Sequence, residues 1–184
     1  MSFSKLPNNL PVPIDDGAAR HLQGMTLPNV SLKATNGNLI NIGYITGFVV
    51  IYIYPMTGRP GVPLPDGWEA IPGARGCTPQ SCSFRDHYTE LQQWQVKLYG
   101  LSTQTTDYQL EAKHRLHLPF ELLSDSSLKL KSLISLPTFK VADMELYKRL
   151  TIIAKYSKVE KVFYPVFPPD QNADQVLSWF QENA

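Results

Sequence analysis

Two short runs of alternating apolar and polar residues, VSLKA starting at Val30 and NLINI ending at Ile42, flank the dipeptide Asn36-Gly37. Alternation puts every second side chain on one face of a strand, and Asn-Gly supplies the positive backbone angles of a type I′ turn, so the segment predicts a β-hairpin. The next run, FVVIYIYP from Phe48 to Pro55, is apolar or aromatic throughout. An unbroken β-branched and aromatic run of this kind suits a central strand buried on both faces. Residues 56–75, MTGRPGVPLPDGWEAIPGAR, then set Pro60, Pro63, Pro65 and Pro72 among Gly58, Gly61, Gly67 and Gly73, which predicts a long loop. Loops of this length inside a compact domain are usually functional or disordered, and this one leads directly to Cys77.

From Pro79 to Leu98 the apolar residues Phe84, Leu91, Trp94 and Leu98 follow a helical spacing, with Thr78 as the expected N-cap and Pro79 at the first helical position. Beyond it, YGLST reads as a strand, residues 106–115 as a polar helix, FELLS as a strand and residues 128–133 as a short helix. TFKV, LTIIA and VEKVFYPV read as further strands, and residues 173–181 as a closing helix. Strand and helix alternating through the middle, with a hairpin at each end, predict an α/β architecture with a central mixed sheet flanked by helices. Residues 1–25 are expected to be an N-terminal extension, and residues 26–184 one domain carrying the inserted 56–75 loop.

The two cysteines, Cys77 and Cys82, lie five apart in GCTPQSCSFRD, at the start of the expected helix. A thiol is a nucleophile only as its thiolate, and the unpaired N–H groups and partial positive charge of a helix N-terminus favour the anion. Cys77 is placed for this, whereas Cys82 lies about one turn inside. A thiolate that attacks a peroxide O–O bond becomes a sulfenic acid, which a second thiol can condense to a disulfide. Residues five apart on an intact helix have Cα atoms about 8–9 Å apart, and a disulfide needs less than about 7 Å. A bond between these two thiols would therefore require the first turn to unwind, which Pro79 assists by removing a backbone donor and disfavouring helical dihedrals at Thr78. On these residues alone, two inert, buried, small side chains remain the other reading.

Composition narrows the classes. With 43% hydrophobic and 18% charged residues the chain reads as an ordinary globular protein, and 17 basic against 16 acidic residues give a net charge of +1, too little to hold a nucleic acid. The longest apolar run falls far short of the roughly 20 residues of a membrane span. The first 24 residues carry prolines and Asp15-Asp16 in place of a basic-then-apolar secretory pattern. A cytoplasmic protein without membrane or nucleic-acid partners is expected, and in that compartment a cysteine pair points to redox cycling.

The segments YIYP, GCTPQSCSFRDHYTELQ, YGLSTQTTDYQLEAKHRLHLPFELLSD and KRLTIIAKYSKVEKVF occur in the order and approximate spacing found in peroxiredoxins. Over about residues 26–182 the chain resembles the bacterioferritin-comigratory or Q branch of that family, the GCT-x-x-x-C-x-FRD segment being the most specific part. The resemblance implies a thioredoxin-like fold and an atypical two-cysteine peroxidase without cofactor or metal. It would reduce hydrogen peroxide and organic hydroperoxides, be recycled by thioredoxin or a similar dithiol, and exist as a monomer or weak homodimer. Carried over by position, it makes Cys77 the peroxidatic and Cys82 the resolving cysteine, with Gln80 orienting an active-site Arg149. Pro55, Gly76 and Thr78 would line the substrate site. One departure stands out: the family's P-x-x-x-T-x-x-C threonine is replaced by Ala74, so Thr57 is the candidate for the missing hydroxyl and Thr78 the next.

Other constellations are weaker. His114 and His117 have metal-ligand spacing but no adjacent thiol or carboxylate partner, and read as a solvated pair. His87 and Arg85-Asp86 read as surface pairs, and Phe84, Leu91 and Trp94 as a core stripe. Trp68 is expected to anchor the 56–75 loop over the thiol as a wall of the peroxide pocket. Two other classes compete with the peroxidase: a copper chaperone, whose paired cysteines usually stand four apart, and a thioredoxin-fold binding module without catalysis.

Overall fold

In a computed structural model that describes residues 6, 7 and 9–184, the chain forms nine strands and five α-helices; positions 1–5 and 8 of the expected extension lie outside the described residues. The strands are β1 (Ser31–Ala34), β2 (Leu39–Asn41), β3 (Phe48–Ile53), β4 (Lys97–Ser102), β5 (Glu121–Ser124), β6 (Thr138–Val141), β7 (Met144–Tyr147), β8 (Leu150–Lys155) and β9 (Lys158–Phe163). The helices are α1 (Cys77–Asp86), α2 (Tyr88–Leu91), α3 (Thr106–Leu116), α4 (Lys129–Ile134) and α5 (Asn172–Asn183).

Seven strands make the main sheet in the order β2-β1-β5-β4-β3-β8-β9. The FVVIYI run lies inside it as β3, parallel to β4 and antiparallel to β8, so the sheet is mixed. Because side chains alternate along a strand, Val49, Ile51 and Ile53 enter one core with Leu32, Leu150 and Ile152, and with Leu130 and Ile134 of α4. Val50 and Tyr52, with Tyr54 just beyond the strand, enter the opposite core with Phe84 of α1 and with Val176 and Phe180 of α5. Each buried side chain of this size contributes roughly 1.5–3 kcal/mol, which explains why β3 carries no polar residue. The arrangement is the thioredoxin-like α/β fold expected from the sequence.

Several local expectations change. The β1–β2 hairpin forms, but its turn is not type I′. Gly37, at φ +86°, is the only left-handed residue of the connection, and its N–H donates to the Ala34 carbonyl at 2.9 Å. This is a three-residue loop ending in a left-handed glycine, where type I′ needs positive φ at two positions. The helix expected over 79–98 breaks at His87 (φ −96°, ψ 7°), continues as α2 and a 3₁₀ turn, and stops at Gln95 in the left-handed region. Leu98 belongs instead to β4, and buried Val96 just before the strand and buried Leu98 within it flank exposed Lys97. TFKV is β6, but it pairs only with β7, a strand the sequence reading missed, and the two form a separate ribbon.

The described residues before Thr26 lie against the main body. Ala19 and Leu22 are buried in the first core, and Thr26 bridges to Lys158. The Asp16 carboxylate accepts from Lys148 Nζ at 2.6 Å and from the Tyr164 hydroxyl at 2.8 Å.

Candidate active site

Gly76 decides how the chain enters α1. At φ +105° it turns the 56–75 loop into the helix within one residue, a conformation that only glycine adopts without strain. A Cβ there would stand 2.3 Å from Pro169 Cγ and 2.9 Å from Leu6 Cδ2. Gly76 is therefore the N-cap, not Thr78, and Cys77 is the first helical residue. Pro79 falls third in the helix, where its missing N–H is one of the donors a helix start leaves unpaired anyway. Cys77 Sγ thus lies at the positive end of the helix dipole.

Arg149, just before β8, approaches the same sulfur from the sheet. Its Nη2 donates to Cys77 Sγ at 3.2 Å and to the carbonyls of Ala74 and Arg75 at 3.1 Å each, and its Nε donates to the Gly73 carbonyl at 3.3 Å. Its Nη1 donates to Gln80 Oε1. Gln80 is held in turn, since its Nε2 donates at 2.9 Å to Asn172 Oδ1, which also accepts from the Thr151 hydroxyl at 2.7 Å. All five side chains, from Cys77 through Arg149 and Gln80 to Asn172 and Thr151, are buried. Such a chain of satisfied polar groups rigidifies the site.

A third contact comes from the backbone. The Met56 N–H donates to Cys77 Sγ at 3.4 Å. Thr57, beside it, does not aim its hydroxyl at the thiol: Oγ1 and the backbone N–H both donate to Gln104 Oε1, at 3.1 and 3.0 Å, and Gln104 Nε2 donates back to the Thr57 carbonyl at 3.2 Å. Gln104 thereby clamps the residue next to the Met56 donor. The cavity over Cys77 is only ≈20 Å³, walled by Leu6, Met56, Leu64, Trp68, Gly76 and Thr78 among others. Pro55, buried after β3, and Thr57 are outside that wall, whereas Thr78 is among its lining residues. Trp68 is 3% exposed and packs with Ala74, Val141 and Leu146, so the loop does fold back over the thiol and rests on the β6–β7 ribbon.

Cys82 occupies the same unbroken helix and is half-buried. Both thiols are free. Burial pushes the Cys82 thiol up from its ordinary value, with Arg85 offsetting part of the shift. His87, at the helix break, pairs with Glu90 of α2 and with Asp174 of α5, while His114 and His117 are exposed on and after α3.

Sequence reasoning missed Met56, Gln104, Asn172 and Thr151. A backbone donor has no side-chain signature. Thr151, however, shares a strand face with Arg149 and Ile153, and a lone polar residue in LTIIA on the arginine's side was a usable signal.

A model of the redoxin family matches residues 22–177 of this chain. The chain is a redoxin-family peroxiredoxin. This peroxiredoxin is 26% identical over 164 residues to the chloroplastic peroxiredoxin Q of Sedum lineare, a match spanning 89% of the chain and 80% of that relative. It is 32% identical over 104 residues to peroxiredoxin bcp1 of Schizosaccharomyces pombe, spanning 55% and 46%. Among solved structures, peroxidoxin BcpB from Mycobacterium tuberculosis superposes with a TM-score of 0.71 at 22% identity, over 88% of this chain and 97% of that one. The bacterioferritin comigratory protein of Xanthomonas campestris gives 0.67 at 18% identity, over 85% and 95%. The peroxiredoxin shares its fold with both, and its sequence relatives place it on the bacterioferritin-comigratory and Q branch.

Proposed function

We propose that this thiol peroxidase runs its cycle on Cys77 and Cys82, with Arg149 and the Met56 N–H as electrostatic partners of the reacting sulfur. One observation carries the reading: a guanidinium nitrogen 3.2 Å and a backbone N–H 3.4 Å from a thiol at a helix start. The Cys77 thiolate attacks one peroxide oxygen, the O–O bond breaks, and its electron pair leaves on the other oxygen, which takes a proton and departs as water or an alcohol. Preformed donors aimed at charge that shifts between oxygens stabilise that transition state. Arg149 suits the role, because its fork can hold sulfur and oxygen together.

Cys77 then carries S–OH. Attack by the Cys82 sulfur expels hydroxide, which leaves as water once protonated, and a disulfide closes after the first turn of α1 unwinds. A thioredoxin-like dithiol returns both thiols. Hydrogen peroxide and organic hydroperoxides are the substrates of this reading; the X. campestris neighbour is described by its alkyl peroxide reduction activity. Since both cysteines lie on one helix, the cycle needs no second chain, and a monomer or weak homodimer in a reducing compartment such as the cytoplasm completes the proposal. A copper-carrying role fits less well, because the guanidinium against Cys77 would repel a metal cation.

Stoichiometric hydrogen peroxide added to the reduced protein is expected to remove two free thiols per chain. Cys77→Ser should keep its one remaining thiol, and Cys82→Ser should accumulate a sulfenic acid that dimedone traps. Equal trapping on Cys82 in the Cys77→Ser protein would reverse the assignment.

A further inference from the structure

The cavity over Cys77 is closed in part by a residue from outside the family's domain. Leu6 is one of its wall residues, sixteen positions ahead of the segment that the redoxin model matches, residues 22–177. Leu6 also rests on Gly76, with its Cδ2 where a Cβ on that glycine would meet it at 2.9 Å. Further along, Leu10 and Pro11 lie against Gly73 and Arg75, whose carbonyls accept from Arg149. The segment is then tied down at Asp16 by Lys148 at 2.6 Å and Tyr164 at 2.8 Å. These contacts cross the loop that delivers Cys77 and end over the sulfur.

Size gives this path a chemical meaning. A site needs about 10–15 Å³ of such volume to hold one water, and the cavity offers ≈20 Å³. That admits a molecule of two oxygens and no carbon skeleton. We propose that Leu6, Pro7 and residues 9–16 form a strap that closes the peroxide cavity, that Leu6 is the residue restricting the closed site to hydrogen peroxide, and that organic hydroperoxides reach Cys77 only when the strap is displaced. The inference rests on Cys77 being the reacting thiol.

The test compares second-order rate constants for hydrogen peroxide and cumene hydroperoxide in the parent, Leu6→Ala, which shortens the wall, and Asp16→Asn, which loosens the tie without touching the cavity. Removing a steric limit of a few methylenes is worth about tenfold or more in discrimination, so the cumene-to-hydrogen-peroxide ratio should rise by about that factor in Leu6→Ala and in the same direction in Asp16→Asn. Two variants at different ends of the segment guard against a local packing defect in either. A parent that consumes hydrogen peroxide while the ratio stays fixed in both variants would overturn the strap and leave the peroxidase reading intact. A parent that loses no thiols to hydrogen peroxide would sink the peroxidase reading itself, and the strap with it.

Discussion

Every nitrogen of the Arg149 guanidinium is occupied: Nη1 by Gln80, Nη2 by Cys77 and two carbonyls, Nε by a third. A lysine keeps the positive charge but presents a point donor that cannot serve these directions at once. Arg149→Lys is therefore expected to slow the reaction with peroxide by about 10²-fold, the usual effect of losing one preorganised donor, in stopped-flow measurements of thiol oxidation. An unaltered rate constant would mean that charge alone suffices and the fork does not matter. Arg149 and Gln80 were legible in the sequence because a motif fixes their places. The Met56 donor was not, since every residue but proline carries the same N–H, and Thr57 was misaimed because a hydroxyl in a loop follows whichever acceptor the fold supplies, here Gln104.

At the scale of elements, the 56–75 loop and the β6–β7 ribbon stabilise one another through Trp68. The indole is buried among Ala74, Val141 and Leu146, 6.2 Å from the Phe139 ring, and it also walls the Cys77 cavity. Trp68→Ala is expected to cost about 3–5 kcal/mol of unfolding free energy, the range for deleting a buried large aromatic, measurable by denaturant titration of the reduced protein. A loss within the range of surface substitutions, about 0.5 kcal/mol, would show that the loop is not anchored there. The loop itself was readable from its prolines and glycines. Its partner was not: MELY alternates as a strand, but nothing in four residues says that β6 and β7 pair only with each other. The overlong helix had a similar cause, because Trp94 and Leu98 satisfy a helical period while Val96 and Leu98 satisfy the strand period that prevails.

Across the whole molecule, Asp16 joins the N-terminal segment to the chain near Arg149 and to the end of β9. Its carboxyl is held down to about 2 from an ordinary value of 3.8, chiefly by the hydrogen bond from Lys148 and then by that from Tyr164. A carboxyl depressed in the folded state lends stability that is present above its unfolded value and lost as pH falls through its folded one. The tie should therefore hold from neutral pH to about pH 4 and weaken between about 4 and 2, with an effect limited to about 1 kcal/mol because the group is largely solvated. Hydrogen exchange at the Ala18 amide, which donates to Asp16 Oδ1 at 3.0 Å, is expected to accelerate on acidification across that range in the parent and to be already fast at pH 7 in Asp16→Asn. Exchange in the parent independent of pH, beyond the intrinsic chemical rate, would remove Asp16 from this role. The sequence announced an extension of prolines and acids, but such a composition carries no information about what it lies on.

Because Cys77 and Cys82 occupy one unbroken helix, the ordered form of α1 and the disulfide proposed between them exclude one another. Closing the bond forfeits about one turn of backbone hydrogen bonds, beginning with Gln80 N–H to the Gly76 carbonyl at 3.0 Å. At about 1 kcal/mol net for each of roughly three bonds, the oxidised form is penalised by about 3 kcal/mol, which raises the couple's reduction potential by about 60 mV. Refolding of α1 thus helps to draw electrons from the dithiol that reduces it, and the enzyme remains reducible even where the surrounding thiol pool is comparatively oxidised.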